Sequence, residues 1–262
     1  MPAPAVIPRL KNSLRHLLRR GLLGGLVQAV AGGPHPTRIR VVSATRKKKQ
    51  EFWRSTALGR SLRAWRQDHR LDIDVAFENR LGLPLIYNAA LRAAQPSQAL
   101  LFVHDDVWLD DPLWIDKVLV GLRRFDVIGL AGNTRRLPGQ QAWHFHRAGP
   151  GVRLDFPHLS GAVAHGEQAR GVVSQFGPVP LECELLDGVF LATRKDVCVA
   201  SEVAFDERFD FHFYDLDFCR TARTRGLKLG TWLIAVTHQS TGEFDSPAWK
   251  EGLRRYQAKW KH

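Results

Sequence analysis

Apolar positions along the chain fall into short β-branched or aliphatic runs separated by longer stretches of mixed polarity. Thr37–Thr45 (TRIRVVSAT) carries β-branched residues into a turn of small residues, which predicts a first buried strand opening onto a ligand-binding edge. Residues 47–69 set Phe52, Leu58, Leu62 and Trp65 among basic residues and predict a helix. Asp72–Phe77 alternates as a second strand does and ends at Glu78 and Asn79, and Leu85–Ala94 has a helical pattern. Ala99–Val103 (ALLFV) is a continuous apolar run, the pattern of a central strand covered on both faces. His104, Asp105 and Asp106 follow it directly.

Further along, Asp111 and Pro112 are placed as N-cap and first residue of a helix through about Phe125. Asp126–Ala131 reads as another buried strand. Residues 132–180 are rich in Gly, Pro, His and Arg with weak periodicity, which predicts an insertion of loops. Leu185–Thr193 is strand-like, a helix is expected from about Tyr214 to Arg225, and Leu233–His238 is a last strand. Strands alternating with helical segments predict an α/β domain with a largely parallel sheet, in which ligands collect at the carboxyl ends of strands.

The first forty residues differ in kind. Residues 9–31 (RLKNSLRHLLRRGLLGGLVQAVA) form a basic amphipathic segment, so the expected organisation is an N-terminal segment, 1–36, followed by one domain, 37–262. The uncharged run Gly21–Gly33 is short of the roughly 20 apolar residues that span a bilayer, and its glycines weaken a helix. No small-x-small cleavage site supports a secretory signal. Two readings stay open: the segment lies in the interface of an anionic membrane, or it packs on its own domain or trails as a tail.

Charge sharpens this division. The formal net charge is +12, yet residues 1–70 carry 16 Lys and Arg against Glu51 and Asp68 alone, while the rest carries 22 against 24. A basic N-terminal face on a near-neutral body suits an anionic membrane or a phosphate-bearing ligand at least as well as nucleic acid. Hydrophobic and charged fractions of 44% and 24% fit a globular chain rather than a disordered or polytopic one. Cys183, Cys198 and Cys219 are odd in number and lack CxxC spacing, which points to a reducing compartment and away from thiolate zinc.

Carboxylates ending a buried strand are held rigidly and face solvent, as oxygen ligation of a divalent cation requires. Asp105 and Asp106 are so placed, although strand-end acids also serve turns and caps. Asp215 and Asp217 stand at a helix start, where an N-cap and an i,i+3 pair of Asp217 with Arg220 is the plainer reading. His238 follows an apolar strand, where a histidine is more often a hydrogen-bonded turn residue than a ligand.

In their order along the chain, strand-SAT, strand-HDD, strand-LDG, YDLDFCR and strand-TH resemble inverting glycosyltransferases of the GT-A fold, in the large family-2-like group. The likeness spans about residues 37–242. FVHDDV and FHFYDLDFCR resemble strings of a bacterial subgroup labelled by similarity to a streptomycin-biosynthesis protein.

That resemblance implies a GT-A fold, with a central mostly parallel mixed sheet flanked by helices. It also implies that HDD stands at the Asp-x-Asp position, with Asp106 binding Mn²⁺ or Mg²⁺ on the donor diphosphate. His104 then replaces the acid that approaches the nucleotide and, with Asp105, Thr45 and Glu78, makes the donor contacts. YDLDFCR matches Glu-Asp-x-Asp-x-x-Arg with Tyr214 in place of the Glu, which makes Asp215 the catalytic base, and His238 matches a late metal or diphosphate ligand. The Gly-rich LSGAVAHG (159–166) becomes a candidate lid or acceptor wall and Trp143 a candidate sugar-stacking ring, with plain loop packing as the simpler reading of both.

The implied partners are a nucleotide-sugar donor and a saccharide or lipid-linked acceptor; membrane-anchored acceptors would fit the basic amphipathic segment, which suggests surface-polysaccharide or glycolipid assembly. The implied location is the cytoplasm, peripheral at the inner face of the plasma membrane, with no nucleic acid as partner. A sugar-phosphate nucleotidyltransferase is the alternative, but SATRKKK lacks the glycines of a phosphate loop. A non-catalytic nucleic-acid binder would account for the basic N-terminus and leave the strand-end acids unexplained.

Overall fold

The computed structural model describes residues 35–262 except 97, 149, 150, 241 and 262, so the basic segment 9–31 lies outside the described residues. Strand β1 (Ile39–Ala44) leads into two short helices, α1 (Lys49–Ser55) and α2 (Ala57–Leu62). These are followed by β2 (Leu71–Ala76), α3 (Leu83–Ala93), β3 (Ala99–Val103) and β4 (Val107–Leu109). Helix α4 (Trp114–Arg124) precedes β5 (Val127–Gly129) and β6 (Ala131–Asn133). A hairpin of β7 (Phe145–Ala148) and β8 (Gly151–Leu154) comes next, then β9 (Leu159–His165) and β10 (Val172–Gly177). The remainder holds β11 (Glu182–Cys183), β12 (Leu185–Leu186), β13 (Phe190–Arg194), α5 (Lys195–Ala200), α6 (Tyr214–Thr224), β14 (Leu229–Thr231), β15 (Val236–His238) and α7 (Pro247–Trp260).

Seven strands form one sheet in the order β11-β14-β5-β13-β3-β1-β2, and a second sheet runs β12-β6-β9-β15-β4 with β10 on β9. The first sheet is mixed: β2, β1 and β3 are parallel, as are β14 and β5, while β13 runs antiparallel to both of its neighbours. This is the α/β architecture expected, consistent with the GT-A fold. Ala99–Val103 is buried at every position between β1 and β13, which is why its sequence is apolar without alternation. Tyr87 of α3 packs on Phe102 with ring centroids 4.7 Å apart, fastening that helix to the sheet. Among the described residues no helix is long and apolar enough to cross a membrane, and all three cysteines are buried and free.

Five expectations are corrected. The helix expected over 47–69 breaks at Thr56, whose extended backbone ends α1 and whose hydroxyl accepts from the Gly59 amide at 3.0 Å to cap α2. A Cβ on Gly59 would lie 2.1 Å from the Phe52 carbonyl oxygen, so the two helices meet only over glycine. Asp111 caps a turn at the expected helix start rather than the helix itself. It accepts from the Leu113 amide at 2.9 Å and pairs with Lys117 at 2.5 Å, and α4 begins at Trp114.

The expected strand 185–193 is two strands in different sheets, parted by a turn at Asp187-Gly188. Residues 132–180 are not an insertion of loops; they supply the β7-β8 hairpin, a small sheet of its own, and β9 and β10 of the second sheet. Buried Asn133 donates to the Trp143 carbonyl and to Asp155, and Asp155 pairs with Arg135 at 2.5 Å, which ties the stretch to β6. LSGAVAHG is accordingly no lid: it is β9, paired with β6, β10 and β15.

Candidate functional site

The parallel trio β3-β1-β2 ends in the chemistry singled out from the sequence. Thr45 follows β1, Glu78 follows β2, and His104-Asp105-Asp106 follows β3, so all five lie along one carboxyl edge. The Asn79 amide donates to the Thr45 carbonyl at 2.8 Å and the Glu78 amide to that of Lys47 at 3.0 Å, which joins the first two turns. Glu78 is exposed and holds a left-handed backbone at φ 49°. Burial pushes the Asp105 carboxyl up from its ordinary value, opposed by a hydrogen bond from the Thr45 hydroxyl. The Asp105 carbonyl accepts from the Leu58 amide, which anchors the HDD turn on the start of α2.

On the other side of the turn, His104, Asp106 and His238 each offer a ligand atom, all within 4.8 Å of one another. His238 ends β15, which pairs with β4 directly after HDD, so the antiparallel register brings His238 opposite Val107. Its Nε2 lies 3.3 Å from Asp106 Oδ2 and 3.0 Å from the Ser240 hydroxyl. Burial raises the Asp106 carboxyl, but the His238 hydrogen bond and charge, with His104 behind it, outweigh that and hold it at about 2. Asp106 Oδ1 is buried and has no hydrogen-bond partner among the described residues. An ionised oxygen left orphaned beside two imidazoles is a donor set that fits a divalent cation. The geometry thus adds His104 to the two residues assigned to metal from sequence.

His104 Nε2 is 3.0 Å from the Tyr214 hydroxyl, which donates its one hydrogen to the Gly188 carbonyl at 2.8 Å. The imidazole must therefore supply the hydrogen between them, which leaves Nδ1 with the lone pair. Burial lowers the His104 pKa and favours that neutral form.

Tyr214 and Asp215 open α6. Phe213 before them has a left-handed backbone, φ 67°, and its ring is held against Trp249 and Tyr256 of α7 at 5.3 and 5.4 Å. Asp215 Oδ2 accepts from the Gly188 amide at 3.0 Å. A Cβ on Gly188 would stand 2.6 Å from the Tyr214 hydroxyl and 2.8 Å from Asp215 Cβ, so only glycine allows this approach. Burial, and then the charge of Asp187, push the Asp215 carboxyl up to about 7.

Asp217, two residues further, is fully buried and is held by Lys259 at 2.9 Å and Trp260 at 2.8 Å, both from α7. The expected local pairing within α6 therefore gives way to a tie between the two helices, with the Arg220 guanidinium stacked over Trp260 at 4.1 Å.

A cavity of about 730 Å³ connects these groups. His104, His238 and Asp215 line it, whereas Thr45, Glu78, Asp105 and Asp106 do not. The sequence-assigned residues thus divide into a ledge along the strand ends and a cavity wall, with HDD between. Trp143 lines the cavity through a buried ring whose Nε1 donates to Asp187 at 2.5 Å. His165 of β9 is the register partner of His238 and lines the same wall, its Nδ1 buried and unpartnered.

Sequence reasoning assigned no role to Asp187, Tyr214 or His165. The strand-LDG motif marked the position of Asp187, but His165 sat in a stretch whose pairing no local pattern discloses.

A sequence profile described as "Glycosyltransferase like family" matches residues 56–246, and the chain belongs to that family. No curated protein sequence matches it. Among solved structures, GalNAc-T7 with UDP, GalNAc and Mn²⁺ is 11% identical with TM-score 0.48, over 86% of this chain and 49% of its own length. The mannosyltransferase PcManGT of Pyrobaculum calidifontis, with GDP-Man and Mn²⁺, is 13% identical with TM-score 0.42, over 95% of this chain and 71% of its own. The chain thus spans about half the length of the first and under three quarters of the second.

Proposed function

We propose that the chain transfers a sugar from a nucleoside-diphosphate sugar to an acceptor hydroxyl with inversion at the anomeric carbon. The observation that carries this is the convergence of Asp106, His104 and His238 within 4.8 Å, with His104 and His238 lining the same cavity as Asp215, in a member of a glycosyltransferase-like family. Family membership favours this reading over the nucleotidyltransferase alternative. The strings FVHDDV and FHFYDLDFCR support a place in the streptomycin-related bacterial subgroup.

Asp106, His104 Nδ1 and His238 would hold the cation, and two imidazoles in the set favour Mn²⁺ over Mg²⁺, which takes oxygen ligands. A divalent ion there supplies charge neutralisation to the departing diphosphate. Thr45, Glu78 and Asp105 form the ledge for the nucleotide. Asp215 Oδ1 or Oδ2 takes the proton of the acceptor hydroxyl as that oxygen attacks from the face opposite the leaving group. Its raised pKa keeps it basic enough to accept the proton near neutrality. The Gly188 amide and the left-handed turn at Phe213 fix its direction.

For residues 9–31 we propose an anchor on an anionic membrane of the cytoplasmic face, which suits acceptors for surface polysaccharide or glycolipid. Deletion of residues 1–36 should release the protein from anionic vesicles, and unchanged binding would refute the anchor.

The activity is tested by assaying a panel of nucleotide sugars for binding and hydrolysis with and without Mn²⁺, on the full chain and on Asp106→Ala. Metal-dependent turnover of one donor that disappears in the variant is expected. Donor binding indifferent to both metal and substitution would sink the proposal.

A further inference from the structure

Beside the cation cluster the cavity is walled by aromatic rings and acids, and among the described residues lining it none is lysine or arginine. We infer that this cavity receives the acceptor and that the acceptor is an uncharged saccharide, an inference that rests on the sugar-transfer reading and deepens it.

Two rings stand out because they line the cavity yet remain unburied: Phe211 is 48% and Phe244 42% exposed. Phe211 lies against His104 with centroids 5.5 Å apart, on the cation side. Phe244 packs against Phe145 and His144, at 5.3 and 5.9 Å, at a different part of the wall. Between exposed rings and the buried Trp143 and Trp249, the cavity offers apolar faces at more than one position. A pyranose has an apolar C–H face and a rim of hydroxyls, so it requires ring faces interspersed with hydrogen-bonding groups.

Those groups are present. Asp187 and Asp215 face the cavity near the cation cluster and Glu243 lines it on the segment that carries Phe244; all three accept from hydroxyl donors. His144 lines it with a buried Nδ1 that has no hydrogen-bond partner among the described residues. An alkyl or aryl occupant would cover these polar atoms without satisfying them. An anionic occupant, whether a uronate or a sugar phosphate, would meet carboxylates with no lysine or arginine to pair it. A volume of about 730 Å³ lies within the range of small-ligand sites, roughly 300–1,000 Å³.

The test titrates the full chain, with Mn²⁺ and a nucleoside diphosphate present, with methyl glycosides of glucose, galactose, mannose and N-acetylglucosamine. Their uronic acid and 6-phosphate counterparts and an alkyl alcohol form the other arms, with binding read by saturation-transfer NMR. At least one neutral glycoside should bind, and its anionic counterparts should bind at least tenfold more weakly. Phe244→Ala should weaken the neutral glycoside about tenfold, and Glu243→Lys should narrow the gap between neutral and anionic forms.

Anionic forms binding as tightly as neutral ones, binding by the alcohol alone, no glycoside bound, or Phe244→Ala without effect would each overturn the inference. Mn²⁺ and nucleotide affinity, measured in the same samples, separates this failure from failure of the proposed activity. If those persist, only the acceptor assignment falls.

Discussion

The Tyr214 hydroxyl takes a hydrogen bond from His104 Nε2 at 3.0 Å and passes its own hydrogen to the Gly188 carbonyl, which leaves the lone pair of His104 on Nδ1 in a ring that clusters with Asp106 and His238. A tyrosine at the first position of YDLDFCR therefore acts on the cation site through the histidine it orients. Tyr214→Phe should fold, since the ring packing on Tyr87 and Phe205 is kept, and should weaken Mn²⁺ binding by about 10- to 100-fold in calorimetry. Unchanged affinity would show that the tyrosine does not position the ligand.

Asp215 gives the account its pH dependence. The base works when ionised, and burial with the neighbouring Asp187 charge places its pKa at about 7. Turnover should therefore rise with pH, reach half its maximum near that value and level off above it. Asp187→Asn removes a negative neighbour, so the ionised form becomes easier to reach and the midpoint should move to lower pH. Asp215→Asn should cost about 10²- to 10⁴-fold in kcat with donor affinity retained. A pH profile flat between 5 and 8 would speak against Asp215 as base.

Stability should depend on the tie between α6 and α7. Asp217 is fully buried, and Lys259 supplies the charge that faces it. Lys259→Met leaves a buried carboxylate with only Trp260 to bond it, which should cost about 3–5 kcal/mol in urea unfolding. Adding Asp217→Asn to that variant should recover part of the loss, because the stranded charge is gone. A loss under about 1 kcal/mol would mean the pair behaves as an exposed one.

Where local pattern and tertiary environment agree, the elements were legible in advance. ALLFV is apolar throughout because both of its faces are covered, and YDLDF opens a helix at the residue anticipated, so HDD and Asp215 could be placed from sequence. The second sheet was not legible. Four of its strands have only two or three residues, another exposes Val172 and Val173, and apart from the β9-β10 hairpin the partners lie far along the chain, as His165 with His238 shows. Periodicity within a strand carries no information on such pairings. Asp217 misled for the same reason: a local partner stood one turn away at Arg220, while the lysine that holds it is 42 residues on. Thr56 was overlooked because a capping residue in the middle of an amphipathic run does not disturb the spacing of Phe52, Leu58 and Leu62.

The central claim is that one cation binds where HDD and VTH meet, and anomalous scattering from crystals of the full chain soaked in Mn²⁺ tests it most directly. The account predicts one peak in bonding contact with Asp106, His104 Nδ1 and His238, absent in Asp106→Ala. Contradiction would come from a peak bound elsewhere, or from those three side chains remaining without an ion at saturating Mn²⁺.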